Sequence, residues 1–267
     1  MWDQFLRWMV GISIAIGGAT MYHDRPAHPA DKQLVRVAAA ADLKFAMDEI
    51  RDAFQRQHPE IEVVITYGSS GNFYSQLANR APFDIFFSAD LDYPRRLIQQ
   101  GLAPTESEFQ YAVGFIVLWV RQASPIAVET LGIQALLDPA ARKIAIANPI
   151  HAPYGRAAEA AMKKLGVFEK VQNHLVYGEN ISQTAQFVES GAADIGIISH
   201  SLAVGPPLRD KGRYWEVPTD AYPALEQGGV ILSWAEDRAA ADALRGFVVG
   251  EEGQLILSRY GFRPPGK

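Results

Sequence analysis

Cysteine is absent from the 267-residue chain, and this absence excludes several kinds of site. Without cysteine there is no disulfide framework, no thiolate nucleophile and no cysteine-based zinc site. The 25 Lys and Arg residues form no run longer than a pair such as Arg95-Arg96, and the formal net charge is -5. A nucleic-acid-binding surface is therefore not expected. With 48% hydrophobic residues, the composition favours a globular protein, which we expect to form two domains.

Catalytic and metal-binding motifs are also missing. None of the six histidines is paired at the i, i+4 spacing of a zinc-binding helix. Asp90 and Asp92 resemble the beginning of a calcium loop, but no glycine and glutamate follow at the required spacing, and helix capping explains them better. The nucleophile-elbow pattern fails around Ser70 because Asn72 stands where glycine is needed, and no P-loop lysine follows. We expect neither an enzyme nor a cofactor.

The first 33 residues differ from the rest of the chain. Arg7 precedes the uncharged stretch 8–19, in which Gly17 and Ala19 lie at the spacing that a signal peptidase accepts. A polar, proline-containing spacer follows this stretch. We therefore expect residues 1–33 to be a signal peptide and spacer that direct the protein to the periplasm. The alternative is an uncleaved signal that anchors the chain in the membrane.

From Leu34 onward, strand-like and helix-like segments alternate. Five short apolar runs each lead into residues with helical spacing: LVRVAAA, IEVVITY, FDIFFSA, KIAIAN and HLVYG. A sixth run, ADIGIIS, follows them. This alternation predicts an α/β fold in which a parallel sheet is covered by helices. The run 109–120 is too long for an ordinary strand, so we interpret it as a strand that crosses from one domain to the next.

The end of the chain completes the predicted domain organisation. The strand GGVILSW and two helices, 237–249 and 251–260, would return the chain to the first domain. We therefore expect two lobes, one formed by residues 34–112 with 231–267 and the other by residues 113–230. Ligands usually bind in the cleft between two such lobes. A single continuous α/β domain is the alternative.

Four strand-to-helix junctions are candidates for a binding site, because ligands of open α/β sheets bind beyond the carboxyl ends of the strands. The junctions are AAAADL, YGSSGN, NPIHAPYG and YGENIS, and none contains lysine or arginine. Each would present unpaired N–H groups at the positive end of a helix, which attracts anions. If all four converge, about half a positive charge from each suits a dianion. For YGSSGN alone, a glycine turn with serine caps is a sufficient explanation.

Seven segments together carry a family resemblance, and they lie in order between about residues 35 and 262. They are VAAAADLKFAMDEI, YGSSGNFYSQL, APFDIFFSADLDYPRRL, YAVGFIVLW, NPIHAPYG, SGAADIGIIS and RYGF. The chain thus resembles the periplasmic molybdate/tungstate-binding proteins of ABC importers. The resemblance implies a two-lobed type II periplasmic-binding-protein fold, in which hydroxyls and backbone N–H groups hold a tetrahedral oxyanion without a bound cation. It also implies a membrane permease as partner, and we expect a monomer.

The resemblance extends to individual ligand-binding positions. The residues that it places around the oxyanion are Ala41, Asp42, Ser69, Ser70, Tyr154 and Ile181. Tyr154 and Ile181 would bind through their backbone N–H groups. Two positions depart from the family pattern. Ala41 stands where the family commonly has serine or threonine, and Ser199 stands where some members have tyrosine.

Asp42 requires an explanation, because a carboxylate repels a dianion. We expect its side chain to cap its own helix, so that only its N–H meets the ligand. Alternatively, the carboxylate accepts a proton from a protonated oxyanion, which would make the ligand phosphate. Molybdate or tungstate is the expected ligand, and another tetrahedral oxyanion such as phosphate or sulfate is the alternative. An enzyme or a sensor domain that reuses the fold is a further alternative, because fold does not fix function.

Overall fold

Strands and helices alternate along residues 32–266, the part of the chain that the computed structural model describes. The strands are β1 (Gln33–Ala40), β2 (Ile61–Gly68), β3 (Ile85–Ser88), β4 (Phe109–Gly114), β5 (Ile116–Arg121), β6 (Ile144–Ala147), β7 (Leu175–Gly178), β8 (Ile195–Ser199), β9 (Gly212–Glu216) and β10 (Leu225–Ile231). The α-helices are α1 (Lys44–Gln57), α2 (Ser70–Ala78), α3 (Asp92–Gln99), α4 (Val128–Leu131), α5 (Pro153–Lys164), α6 (Phe168–Val171), α7 (Ile181–Ser190), α8 (His200–Ala203), α9 (Arg238–Val249) and α10 (Glu251–Arg259). The predicted signal peptide lies outside the described residues. Within residues 32–266, no helix is long and apolar enough to cross a membrane.

The strands form two five-stranded sheets, and each sheet with its helices forms one lobe. In lobe I the strand order is β2-β1-β3-β10-β4, with β10 antiparallel to β3 and β4. In lobe II the order is β7-β6-β8-β5-β9, with β5 antiparallel to β8 and β9. The prediction of a purely parallel sheet is therefore wrong. The strands β5 and β10 enter their sheets directly from the other lobe, without the helical crossover that parallel pairing requires.

Lobe I has a hydrophobic core on each face of its sheet. Along β1, Val35 and Val37 pack into one cluster with Phe54 of α1, whereas Ala38 packs into the other cluster with Phe73 of α2. Successive side chains of a strand point to opposite faces, so a strand covered on both sides is apolar throughout. This burial explains why residues 37–40 of β1 and 85–87 of β3 are continuous apolar runs in the sequence. Lobe II has one large core around β5, β6 and β8.

The chain crosses between the lobes at Phe115, which separates β4 from β5. The prediction of one long strand over 109–120 is therefore wrong, because β4 pairs with β10 in lobe I while β5 pairs with β8 and β9 in lobe II. The chain returns through β10, whose residues all lie in the first sheet. The predicted boundaries of the lobes, at 112/113 and 230/231, stay a prediction. The edge strand β9 was not predicted.

Candidate functional site

A small cavity lies where strand ends from the two lobes meet. It contains about 190 Å³ of space between atoms, and this figure includes space that is open to solvent. Its lining residues are Ala40, Ala41, Asp42, Gly68, Ser69, Ser70, Ala89, Ala152, Pro153, Tyr154 and Ile181. All six predicted ligand-binding residues thus line one cavity, although they come from four segments that lie far apart in the sequence.

Lobe I contributes the junctions after β1, β2 and β3. Helix α2 begins at Ser70, and the Ser69 hydroxyl caps it by accepting from the N–H of Asn72 at 3.4 Å. The Ser70 oxygen accepts from the buried N–H of Ala89 at 2.9 Å. Because a serine hydroxyl can also donate, the Ser70 hydrogen remains available for a ligand.

Lobe II contributes the junctions after β6 and β7. Tyr154 is the second residue of α5, and Ile181 is the first residue of α7, whose N-cap Asn180 accepts from the N–H of Gln183 at 3.0 Å. Backbone N–H groups in a first helical turn have no partner within the helix. The beginning of α5 packs tightly on its strand, because a Cβ at Gly155 would lie 2.1 Å from the Ala147 carbonyl oxygen. Glycine at this position therefore allows the beginning of α5 to lie close to the end of β6.

The cavity has no cationic side chain. No lysine or arginine lines it, and its only acidic residue is Asp42. Within residues 32–266 no cluster of three or more His, Asp or Glu side chains could hold a metal ion. The positive potential comes from the first turns of α2, α5 and α7 and from the turn Ala41–Leu43 that precedes α1. Such an arrangement binds an anion through neutral donors.

The side chain of Asp42 does not cap its helix, so this prediction is wrong. Its Oδ2 instead accepts hydrogen bonds from the Tyr154 hydroxyl at 2.9 Å and from Nε2 of Gln227 at 2.6 Å. Its Oδ1 is buried and has no hydrogen-bond partner in any other described residue. The carboxyl thus bonds with Tyr154 and Gln227, both remote in sequence, instead of capping its own helix.

Burial raises the pKa of the Asp42 carboxyl from its ordinary value of 3.8 to about 6, although the bonds from Gln227 and Tyr154 lower it. Burial and the nearby Asp42 carboxylate also raise the pKa of Tyr154 and Tyr111 well above the ordinary value of 10.0. Both tyrosines therefore keep their hydroxyl hydrogens at neutral pH. The Tyr111 hydroxyl lies 2.9 Å from Oε1 of Gln227.

Gln227 and Tyr111 were not predicted as part of the site. Both are fully buried, and they connect Asp42 and Tyr154 to the strands that cross between the lobes. The only signal in the sequence was a glutamine that directly precedes Gly228 and Gly229 at the beginning of an apolar run. That pattern indicates a strand but does not indicate which side chains form hydrogen bonds with the glutamine.

Several hydrogen bonds join the lobes around the cavity. Ser182 of α7 donates to the carbonyl oxygen of Ala41 at 2.9 Å, and Ser201 of α8 donates to that of Asp42 at 2.8 Å. The N–H of Gly71 in α2 donates to the carbonyl oxygen of His151 at 2.8 Å. The structure therefore has a closed cleft.

Arg156 and Ser199 lie near the site but do not line the cavity. Arg156 of α5 forms an ion pair with Asp90 and donates to the Tyr93 hydroxyl at 3.1 Å, which links the lobes outside the cavity. The Ser199 hydroxyl caps α8 by accepting from the N–H of Leu202 at 3.3 Å. Some proteins of the family that the sequence resembles have tyrosine at this position, whereas Ser199 here caps a helix.

Residues 35–263 match the family described as "Bacterial extracellular solute-binding protein". The chain is 37% identical over 234 residues to the molybdate-binding protein ModA of Rhodobacter capsulatus, covering 88% of this chain and 90% of that protein. Its structure is similar to the periplasmic molybdate-binding protein of Azotobacter vinelandii, with a TM-score of 0.80, 30% identity, and coverage of 86% of this chain and 99% of that one. The sulfate-binding protein SubI of Mycobacterium tuberculosis shares the fold at a TM-score of 0.73 and 17% identity, with 88% of each chain covered.

Proposed function

The chain belongs to the bacterial extracellular solute-binding proteins, and from this membership and the site we propose that it captures the molybdate oxyanion for an ABC importer. It is a binding protein and not an enzyme, and molybdate is its ligand rather than a cofactor. The observation that carries the proposal is the convergence of donor-rich, cation-free junctions from both lobes on one cavity of about 190 Å³.

The proposed ligand shell consists of neutral donors. Ser70 supplies a hydroxyl whose oxygen is already fixed by the Ala89 N–H. Tyr154 and Ile181 supply backbone N–H groups from lobe II, and Ala41 and Asp42 supply the corresponding junction of lobe I. Ser69 completes the lobe I side as the cap of α2. An oxyanion that carries no proton needs donors alone, and these groups meet that requirement.

Phosphate and sulfate are the alternative ligands. Phosphate carries a proton at neutral pH and needs an acceptor, and Oδ1 of Asp42 is a buried acceptor without a partner in another described residue. Burial raises the pKa of Asp42 to about 6, so the carboxyl is mostly ionised at neutral pH and keeps this capacity to accept. Sulfate has the same charge and shape as molybdate but is smaller, so the size of the closed cavity would discriminate between them.

The proposal extends to the setting of the protein. We infer that the same donors accept tungstate, which matches molybdate in charge and geometry. We also infer that the protein works as a monomer in the periplasm, exported by the N-terminal signal, and delivers its ligand to a membrane permease. No nucleic-acid partner is proposed, since the net charge is -5 and the basic residues are scattered.

Thermal unfolding of the purified chain with added oxyanions tests the proposal. A ligand at about 100 times its Kd adds about 2.7 kcal/mol to the free energy of unfolding of the state that binds it. For a chain of this size that corresponds to a rise in Tm of roughly 5–10 °C. We expect such a rise with molybdate and with tungstate, and a much smaller one with sulfate or phosphate at the same concentration. A rise with phosphate alone would refute the molybdate assignment and favour Asp42 as a proton acceptor.

A further inference from the structure

Gln227 is a fully buried amide whose hydrogen-bonding groups are all used within the site network. Its Nε2 donates to Oδ2 of Asp42 at 2.6 Å and to the Tyr154 hydroxyl oxygen at 2.9 Å. Its Oε1 accepts from the Tyr111 hydroxyl at 2.9 Å. A carboxylate only accepts hydrogen bonds, so Asp42 fixes the amide with its nitrogen toward the cavity side of the network. One neutral side chain thus connects both lobes.

The backbone around Gln227 is shaped to admit this contact. The pairing of β10 with β4 shifts after Gln227, so that Tyr111 falls between the paired residues Gln110 and Ala112 as a β-bulge. A Cβ at Gly114, next to the crossing at Phe115, would lie 2.3 Å from the Tyr154 hydroxyl oxygen and 2.6 Å from Nε2 of Gln227. The bulge and the glycine both lie in β4, which therefore makes room for Gln227 and Tyr154.

We propose that Gln227 is a positioning residue for oxyanion binding, which holds Asp42 of lobe I and Tyr154 of lobe II in one register across the closed cleft. The inference rests on the proposed function. The ligand groups at these two positions are backbone N–H groups at the beginnings of helical segments, so the side-chain bridge sets how far apart the two junctions lie. An amide does this without adding a charge near the anion. Gln227 itself does not line the cavity.

The substitution Gln227→Met tests the inference, because methionine is similar in length and lacks the two donors. We expect the affinity for molybdate, measured by calorimetric titration, to fall about tenfold or more, as for the loss of hydrogen bonds to a charged group. We also expect the ratio of molybdate to sulfate affinity to fall, since a relaxed register no longer matches one oxyanion size. A merely structural role would lower the Tm without changing this ratio.

The matched control is Val230→Ala in the same strand. Val230 is fully buried in a core cluster on lobe I, away from the network, so its truncation should lower the Tm while molybdate affinity stays within about twofold. If Gln227→Met does not fold, Tyr111→Phe decides the question, because it removes the hydroxyl that lies 2.9 Å from Oε1 of Gln227 and 3.0 Å from the Ser88 carbonyl oxygen and leaves the amide in place. In that variant the affinity for molybdate should fall several-fold, and the ratio of molybdate to sulfate affinity should also fall.

The outcomes separate the two claims. Suppose that the unaltered chain binds molybdate and that the folded Gln227→Met variant has the same molybdate affinity and the same ratio of molybdate to sulfate affinity. This result would overturn the positioning role alone. The same result in Tyr111→Phe would overturn it if Gln227→Met does not fold. Failure of the unaltered chain to bind molybdate would overturn the proposed function and this inference with it. If Gln227→Met and Val230→Ala lose molybdate affinity equally, only the stability of the fold affects binding, and the positioning role is overturned.

Discussion

Replacing the buried carboxyl of Asp42 with an amide should stabilise the ligand-free protein at neutral pH. Asp42 is 2% exposed, and no lysine or arginine lines the cavity beside it. Burial raises the pKa of this carboxyl from 3.8 to about 6, despite the donors Gln227 and Tyr154. The substitution Asp42→Asn retains the shape and an acceptor oxygen for both donors. It also removes the charge that burial destabilises.

The sign and size of the effect follow from the raised pKa. A carboxyl whose pKa is higher in the folded state than in the unfolded state stabilises the fold fully only below the unfolded pKa of 3.8, and this contribution is lost as the pH rises through about 6. Above that pH, the ionised group costs the folded state about 3 kcal/mol relative to pH values below 3.8. The amide of the introduced asparagine forms weaker hydrogen bonds than a carboxylate, so we expect a net gain of about 2 kcal/mol at about pH 7.5.

Thermal unfolding of both proteins between pH 4 and pH 8 measures this effect. A gain of about 2 kcal/mol corresponds to a rise in Tm of roughly 4–8 °C for a chain of this size, and it should shrink toward pH 4. The control is Asp210→Asn, at a surface side chain that is 84% exposed, where no such pH-dependent difference is expected. An Asp42→Asn protein that is no more stable than wild type at pH 7.5 would contradict the reasoning, as would a gain that persists undiminished at pH 4.

Two further predictions concern the ligand. Ala41→Ser should add a donor at a cavity-lining position and tighten molybdate binding about fivefold, and Ser70→Ala should weaken it by at least as much. Calorimetric titration measures both, with Ser75→Ala in the same helix as a control; unchanged affinity in both variants would place these junctions away from the ligand.

Much of the fold could be predicted because its signals are local. The runs before α1 and α5 correspond to β1 and β6, which are largely buried on both faces and therefore mostly apolar. The run before α2 corresponds to the edge strand β2, which is buried on one face only. The direction of strand pairing was not predictable in this way. Whether β10 runs parallel or antiparallel to β3 depends on where the chain re-enters the sheet, which local periodicity does not record. The edge strand β9 is only half-buried and gave no clear pattern.

The sequence alone indicated the four candidate junctions, because small and polar residues at the end of a strand and the beginning of a helix are a local feature, and the family resemblance supplied the individual residues. All six predicted residues line the same cavity. Only the tertiary structure decided how the Asp42 carboxyl is used, since its partners Tyr154 and Gln227 lie 112 and 185 positions away. A helix cap is the strongest interaction available to an aspartate within its own segment. Folding brings the Tyr154 hydroxyl and the Gln227 amide within hydrogen-bonding distance of the Asp42 carboxylate. In the low-dielectric interior these two hydrogen bonds outweigh the helix cap.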